Sequence, residues 1–331
     1  MNILILGGTG NISSEVAACL VDCGDKVTVL TSGKRPVPKR YTHIKADRHD
    51  RASLQNALNG KTFDSVIDFL GYTVEHCRIA HDILDGKTGQ FVFISSATVY
   101  QKPPPKLPLT EDTPLCNPFW EYGRRKIACE EYLRHEAGRG FPLTIVRPSH
   151  TFGHTWIPSP LHGADWTVAG RMLAGKPVIL HDNGESLWTL TASSDFAQGI
   201  YGIICNEKAL GKAVHITSDE ALTWNAIYKE IGKALGVTPE IVHIPADFLA
   251  RHIPGAGDKL WGDKARNSVF DNTKIRRLNP GWSCRKTFAR AIRESVAWYY
   301  EDESRKKVDP EKDREIERVI RSWSDGVAEP G

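Results

Sequence analysis

Asn2-Ile3-Leu4-Ile5-Leu6-Gly7-Gly8-Thr9-Gly10-Asn11-Ile12-Ser13 is the stretch that decides the fold. Its aliphatic run reads as a short buried strand. Ser13–Cys23 follows with Val16, Ala17, Leu20 and Val21 at helical spacing, and Gly24 is a natural C-terminal cap. Between strand and helix the chain must turn sharply and let a phosphate group approach the backbone. Gly7 and Gly10 permit both, and the helix N-terminus offers free N–H groups and a partial positive charge. Strand, glycine loop and helix in this order predict a dinucleotide site built on Gly7, Thr9, Gly10, Asn11 and Ile12. Ser13 stands where a third glycine is often found.

The same alternation continues outward. Lys26–Leu30, His43–Ala46, Ser65–Phe69, Gln90–Ser95 and Leu143–Arg147 read as strands, with Ala52–Leu58 and Tyr122–His135 as helices. Repeated strand–helix units predict an α/β fold, a Rossmann doubly wound parallel sheet with a smaller C-terminal substrate domain. The expected division gives 1–152 and 187–217 to the dinucleotide-binding domain and 153–186 and 218–302 to the substrate domain. Residues 303–331 read as a charged tail without a core. Thr223 and Gly236 are the expected caps of a helix over Trp224–Leu235.

Composition narrows the function classes. The chain has 331 residues and a formal charge of only +3, with 43 Lys plus Arg against 40 Asp plus Glu. That balance gives no broad positive field for nucleic acid or anionic membrane. No apolar run approaches the ~20 residues of a membrane helix. The N-terminus shows no basic segment followed by a cleavage site, and the seven cysteines form no C-x-x-C pair. A reduced cytoplasmic enzyme acting on a small molecule is the expectation.

The end of the second strand selects the cofactor. A carboxylate there usually holds the ribose diol of NAD. Here Thr31 and Ser32 occupy that place, with Lys34 and Arg35 beyond. No acid would repel a 2′-phosphate and two cations can attract one, so NAD(P) is expected with NADP favoured. Asp47 and Arg48, after the third strand, are candidates for the adenine edge.

Tyr122 and Lys126 are four residues apart, hence one turn apart on the same helix face. A phenol at its usual pKa near 10 is a poor base at neutral pH. A neighbouring ammonium and an oxidised nicotinamide ring favour the phenolate and lower that pKa. Ser95-Ser96-Ala97-Thr98-Val99-Tyr100 closes a strand, where open α/β sheets bind ligands. A hydroxyl there can hold a substrate oxygen beside Tyr122.

These features, with Arg147-Pro148-Ser149-His150-Thr151-Phe152-Gly153, Ser194-Asp195-Phe196-Ala197 and Asp271-Asn272-Thr273-Lys274-Ile275, resemble the extended short-chain dehydrogenase/reductases, the NAD-dependent epimerase/dehydratases. The stretches 184–191 and 215–224 look like the atypical branch related to chloroplast stem-loop-binding proteins. The resemblance implies Ser96 as the substrate-orienting hydroxyl, Tyr122 as acid/base and Lys126 as its activator. It also implies Pro148 and Ser149 beside the nicotinamide, and Thr98 as a substrate contact. Relatives commonly dimerise through the tyrosine-bearing helix, so a homodimer is the expected assembly.

Departures from the family pattern limit the substrate. Dehydratases carry Asp-Glu where this chain has Ala97 and Thr98, which argues against dehydration. Nucleotide-sugar members place an arginine where Trp188 stands, and an indole cannot neutralise a diphosphate. Arg171, Lys176 and Arg266 are candidate replacements, and Trp156, Trp166, Trp224 and Trp261 are further aromatic candidates. His150 and His154 lack a third metal ligand by spacing, so no metal is expected. The expected reaction is oxidation, reduction or epimerisation of a secondary alcohol or ketone, of a sugar, glycoside or nucleotide sugar. The alternatives are an NADPH-dependent carbonyl reductase of a small non-sugar substrate and a non-catalytic nucleotide- or RNA-binding protein.

Overall fold

The computed structural model describes residues 1–163 and 165–328. The N-terminal part runs β1 (Asn2–Leu6), α1 (Ser13–Asp22), β2 (Lys26–Thr31), β3 (Thr42–Lys45), α2 (Arg51–Leu58), β4 (Ser65–Asp68), α3 (Val74–Leu84), β5 (Phe91–Ile94), α4 (Glu121–Ala137) and β6 (Leu143–Pro148). Then follow β7 (His150–Phe152), α5 (Thr167–Leu173), β8 (Val178–His181), β9 (Leu187–Ala192), α6 (Ser193–Tyr201), β10 (Ala213–Ile216), β11 (Ala221–Thr223) and α7 (Trp224–Leu235). The chain ends with β12 (Ile241–Ile244), α8 (Ala246–His252), α9 (Ala256–Lys259), α10 (Thr273–Leu278), α11 (Phe288–Tyr300) and α12 (Pro310–Ala328).

Seven strands form one parallel sheet in the order β10-β6-β5-β4-β1-β2-β3. Strand order reverses between β1 and β4, and ligands bind in the crevice that such a reversal leaves at the carboxyl ends of the strands. Both faces are buried. Ile3, Ile5, Val29, Ile67 and Val92 pack toward α1 and α6, whereas Leu4, Leu6, Val66, Phe91 and Phe93 pack toward α2, α3 and α4. Period-two alternation inside continuous aliphatic strands thus feeds two cores.

The remainder builds small sheets, β11-β9-β7 and β12-β8, around a third core containing Trp224, Ile227, Ile231, Phe288 and Ile292. The boundary drawn at 187 would place β9 with the nucleotide sheet, but β9 pairs instead with β7 and β11. Helix α7 keeps the caps read from the sequence: Thr223 accepts from Ala226 N–H, and Gly236 is left-handed at φ 75°.

The tail corrects the sequence reading more sharply. Helix α12 is docked, with Ile316 and Val319 buried against Leu249 and Leu260. Arg171 and Lys176 both pair with Asp313 and Glu317 of α12. They serve as clamps on this helix, so neither is free to hold a substrate diphosphate. Among the described residues, no helix is long and apolar enough to cross a membrane.

Candidate active site

The glycine loop takes its unusual backbone at Gly7, as read from the sequence, and at Gly8 rather than Gly10. Gly7 and Gly8 adopt φ 116° and 109°, and a Cβ on Gly8 would stand 2.6 Å from Val29 Cγ1. Ser13 replaces the third glycine with a working hydroxyl. It is buried, and its Oγ accepts from Gly8 N–H at 3.1 Å and Gly10 N–H at 3.0 Å. The Asn11 side chain ties the loop to the β7 segment, donating to Thr151 O (3.1 Å) and accepting from Gly153 N–H (2.7 Å). Among the described residues, the backbone N–H groups of Asn11 and Ile12 have no protein acceptor. Two free donors at a helix N-terminus fit a pyrophosphate.

Around this loop the predicted cofactor contacts divide. Arg35 leans on it, its Nη1 donating to Thr9 O at 2.9 Å. Thr31 Oγ1 is shared between His43 Nε2 and the Gly33 N–H. Ser32 and Lys34 are exposed on the same turn. Asp47 is exposed, and its side chain accepts from His49 N–H. Arg48 does not lie at the surface as an adenine cap would. It is buried, pairs with Asp68 and donates to His76 O.

One cavity of about 400 Å³ gathers the catalytic candidates: Ser96, Thr98, Tyr122, Lys126, Pro148 and Ser149 line it together with Ile12 of the glycine loop. Each arrives from the carboxyl end of a sheet strand or from α4. After β5 the chain makes a 3₁₀ turn over Ala97–Val99, capped by Ser96 Oγ accepting from Thr98 N–H at 3.2 Å. Helix α4 carries Tyr122 and Lys126 on the face toward that turn. Gly123 allows the approach, since a Cβ there would meet Thr98 O at 3.0 Å.

The electrostatics differ from the sequence expectation. Burial pushes the Tyr122 phenol up to about 12, the Tyr72 phenol adds to this, and the Ser96 hydroxyl pulls it back. Lys126 Nζ donates to Gly71 O at 2.7 Å and Ile94 O at 2.8 Å, and lies 6.0 Å from the Tyr122 ring centre. Burial lowers its pKa despite the Asp68 charge. The ammonium is spent on two carbonyls, so burial decides the phenol. At neutral pH the Tyr122 phenol is therefore held in its protonated form.

Beneath this floor lies a network the sequence did not reveal. Glu130 of α4 forms a two-point pair with Arg147 of β6, at 2.9 and 2.6 Å, and accepts from Ser95 Oγ at 2.6 Å. Arg147 also donates to Tyr100 OH and Glu111 O, and Tyr100 OH bonds His215 Nε2. Burial opposes the guanidinium charge, but Glu130 more than offsets it and holds Arg147 protonated. The network fixes the ends of β5 and β6 that supply Ser96, Pro148 and Ser149.

Aromatic and polar groups from the C-terminal region complete the cavity. Trp188, which stands where nucleotide-sugar members place an arginine, lines it together with Trp156 and Trp120. Trp166 and Trp224 are core residues instead, and Trp261 packs near Phe119. His150 lines the cavity, whereas His154 faces Glu15 elsewhere, so the two imidazoles do not converge. Asp263 and Lys264, unforeseen from the sequence, enter from a single π-turn over Leu260–Lys264, closed by Ala265 N–H donating to Leu260 O at 2.8 Å. Arg266 is not among the lining residues.

Three histidines, the buried His181 and His215 and the half-buried His150, are kept neutral: His150 and His215 fall below their ordinary value, and His181 falls to about 4, loss of water around the ring being the main cause in each. Unfolding frees them to bind protons below about pH 6.5. Their stability contribution is complete above that pH and is lost as pH falls toward 4. The urea midpoint is expected to drop from pH 7 to pH 5, and His181→Asn is expected to flatten that drop. An equal drop in the variant would remove His181 from the account.

Comparison with known proteins agrees with this fold. Residues 73–216 match the NAD dependent epimerase/dehydratase family. The chain is 26% identical over 289 residues to 2'-dehydrokanamycin reductase of Streptomyces kanamyceticus, covering 85% of this chain and 80% of that one. It is 29% identical over 263 residues to the chloroplast stem-loop binding protein of 41 kDa b of Arabidopsis thaliana, covering 74% and 67%. In fold it is similar to UDP-glucose 4-epimerase of Thermotoga maritima, with a TM-score of 0.74 at 20% identity over 91% of this chain and 99% of that one.

Proposed function

We propose that this chain, related to the NAD dependent epimerase/dehydratase family, is an NAD(P)-dependent oxidoreductase acting on a secondary alcohol or ketone of a sugar or glycoside. One observation carries the reading. Ser96, Tyr122 and Lys126 line a single cavity that also reaches Ile12 of the glycine loop. A dinucleotide held by the loop N–H groups, with Pro148 and Ser149 beside its nicotinamide, would supply hydride chemistry there.

The protein's own part is positioning and proton transfer. Ser96 Oγ orients the substrate oxygen. The neutral Tyr122 hydroxyl gives its proton to that oxygen as a ketone is reduced, and the resulting phenolate keeps the Ser96 hydroxyl as its neighbour, with the Lys126 charge acting through space rather than by a direct bond. In the reverse direction the phenolate takes the proton of an alcohol. The raised phenol pKa favours the reducing direction at neutral pH. Epimerisation uses both directions in one turnover, with the keto intermediate turning between them. Ala97 and Thr98 supply no acid for dehydration, and Asp263 is committed to Lys264 at 2.8 Å.

The same reading favours NADP. No carboxylate closes β2, and Lys34 and Arg35 follow it. Titration of dinucleotide-free protein is expected to show NADPH binding about tenfold tighter than NADH, a difference of roughly 1.4 kcal/mol. Arg35→Ala should remove most of that difference and leave NADH within about twofold. Tighter NADH binding would overturn the cofactor choice. No binding of either, with a salt-sensitive RNA complex in its place, would overturn the enzyme.

A further inference from the structure

The cavity wall contributed by the C-terminal region is polar in an unusual way. Three of the described lining residues are charged: Lys126, Asp263 and Lys264. Lys126 is spent on backbone carbonyls. Asp263 and Lys264 are adjacent in sequence, both buried, and joined at 2.8 Å, so together they add no net charge. Lys264 Nζ also sits 4.4 Å from the centre of the Trp188 ring. Arginine is absent from the described lining residues. Lys102, outside the lining, stands 3.7 Å from Asp263.

Around this pair lie polar atoms without protein partners. His150 Nε2, Trp188 Nε1 and Ser268 Oγ are buried, and among the described residues none has a hydrogen-bond partner. All three residues line the cavity. A buried donor or acceptor left unpaired is costly, so a cluster of three on one wall points to a ligand that pairs with them. Burial holds His150 neutral, with Lys264 adding to the effect. The wall therefore presents a carboxylate acceptor, an ammonium donor, neutral polar groups and the indole of Trp156, the Trp188 ring being already stacked on Trp224 and covered by Lys264.

That set suits a ring bearing several hydroxyls. A carboxylate accepts from hydroxyls, an ammonium donates to them, and an indole covers the C–H face of the ring. It does not suit a diphosphate, whose charges would meet the Asp263 carboxylate where both neighbouring lysines, Lys264 and Lys102, are already paired with it and no arginine is among the described lining residues. We propose that Asp263 and Lys264, with His150, Trp188 and Ser268, form a subsite for a neutral hydroxylated ring, a sugar or glycoside carrying no nucleoside diphosphate. This subsite rests on the reading of the cavity as the oxidoreductase site.

Protein saturated with NADPH is titrated with a panel of methyl glycosides, and separately with UDP and UDP-glucose, followed by saturation-transfer NMR and indole fluorescence. At least one methyl glycoside binds, and UDP-glucose binds no tighter. Asp263→Asn and Lys264→Gln each weaken the glycoside about tenfold or more and leave NADPH affinity within about twofold. Lys264→Arg restores part of the loss, and thermal melting confirms that each variant is folded. Binding of UDP-glucose tenfold tighter than every methyl glycoside overturns the proposal. So does an unchanged glycoside affinity in both variants, or no glycoside binding to NADPH-loaded protein. Failure of the wild-type protein to bind NADPH overturns the oxidoreductase reading itself, which separates the two.

Discussion

Tyr122→Phe is expected to lower turnover about a thousandfold while NADPH affinity stays within about twofold. Turnover here is NADPH consumption with whichever keto sugar gives a measurable rate in a screen. The substitution removes one oxygen and keeps the ring, so packing against Trp120 at 5.1 Å between ring centres survives. What disappears is the proton carried by the phenol. The pH profile follows from the same group. With the phenol near 12, the wild-type reduction step should stay flat through neutral pH and fall as pH rises toward that value. Oxidation should rise over the same range, because it needs the phenolate. Unchanged turnover in the phenylalanine variant would remove Tyr122 from the reaction.

The second large effect is on stability. Glu130→Gln is expected to cost about 3–5 kcal/mol, because it leaves the Arg147 charge buried without its counter-ion. Both side chains are 1% exposed or less, so water cannot compensate. The urea midpoint should fall with little change in slope. Replacing both partners, as Glu130→Leu with Arg147→Met, should recover part of the loss, since no uncompensated charge then remains. Recovery will be incomplete, because Arg147 also serves Tyr100 and Glu111. A loss below about 1 kcal/mol in Glu130→Gln would show that the pair is not held in isolation from solvent.

The parts of the site legible in the sequence are those encoded locally. Gly7 through Ser13 is one turn and one helix start. Tyr122 and Lys126 are one helical turn, and Ser96 ends one strand. Each is recognisable within seven residues. The parts that stayed hidden are set by distant partners. Arg48, in the loop after β3, meets Asp68 at the end of β4, 20 residues later, and nothing in Asp47-Arg48 announces burial. Glu130 and Arg147 are separated by 17 positions and meet only when α4 lies over β6. Arg171 reads as an available cation until Asp313, 142 residues later, is folded against it. The tail deceived for a related reason. Ile316 and Val319 have helical spacing, but charged neighbours make the segment read as solvated, and only packing shows which stripe is covered. Aromatic residues carry least positional information: of four tryptophans singled out beyond Trp188, only Trp156 lines the cavity.

The π-turn at Leu260–Lys264 sets a helical phase. It holds one residue more per turn than an α-helix, and each α-helical residue advances about 100° around the axis. That extra residue determines the direction in which Asp263 and Lys264 leave the backbone. Deleting a single position there would restore regular winding and rotate the pair away from Trp188 without changing the chemical character of the segment. Ligand selectivity in this fold is thus open to insertion and deletion, acting as an angular dial, as well as to substitution. A relative with identical catalytic residues and one residue fewer in this turn would present a different face to its substrate.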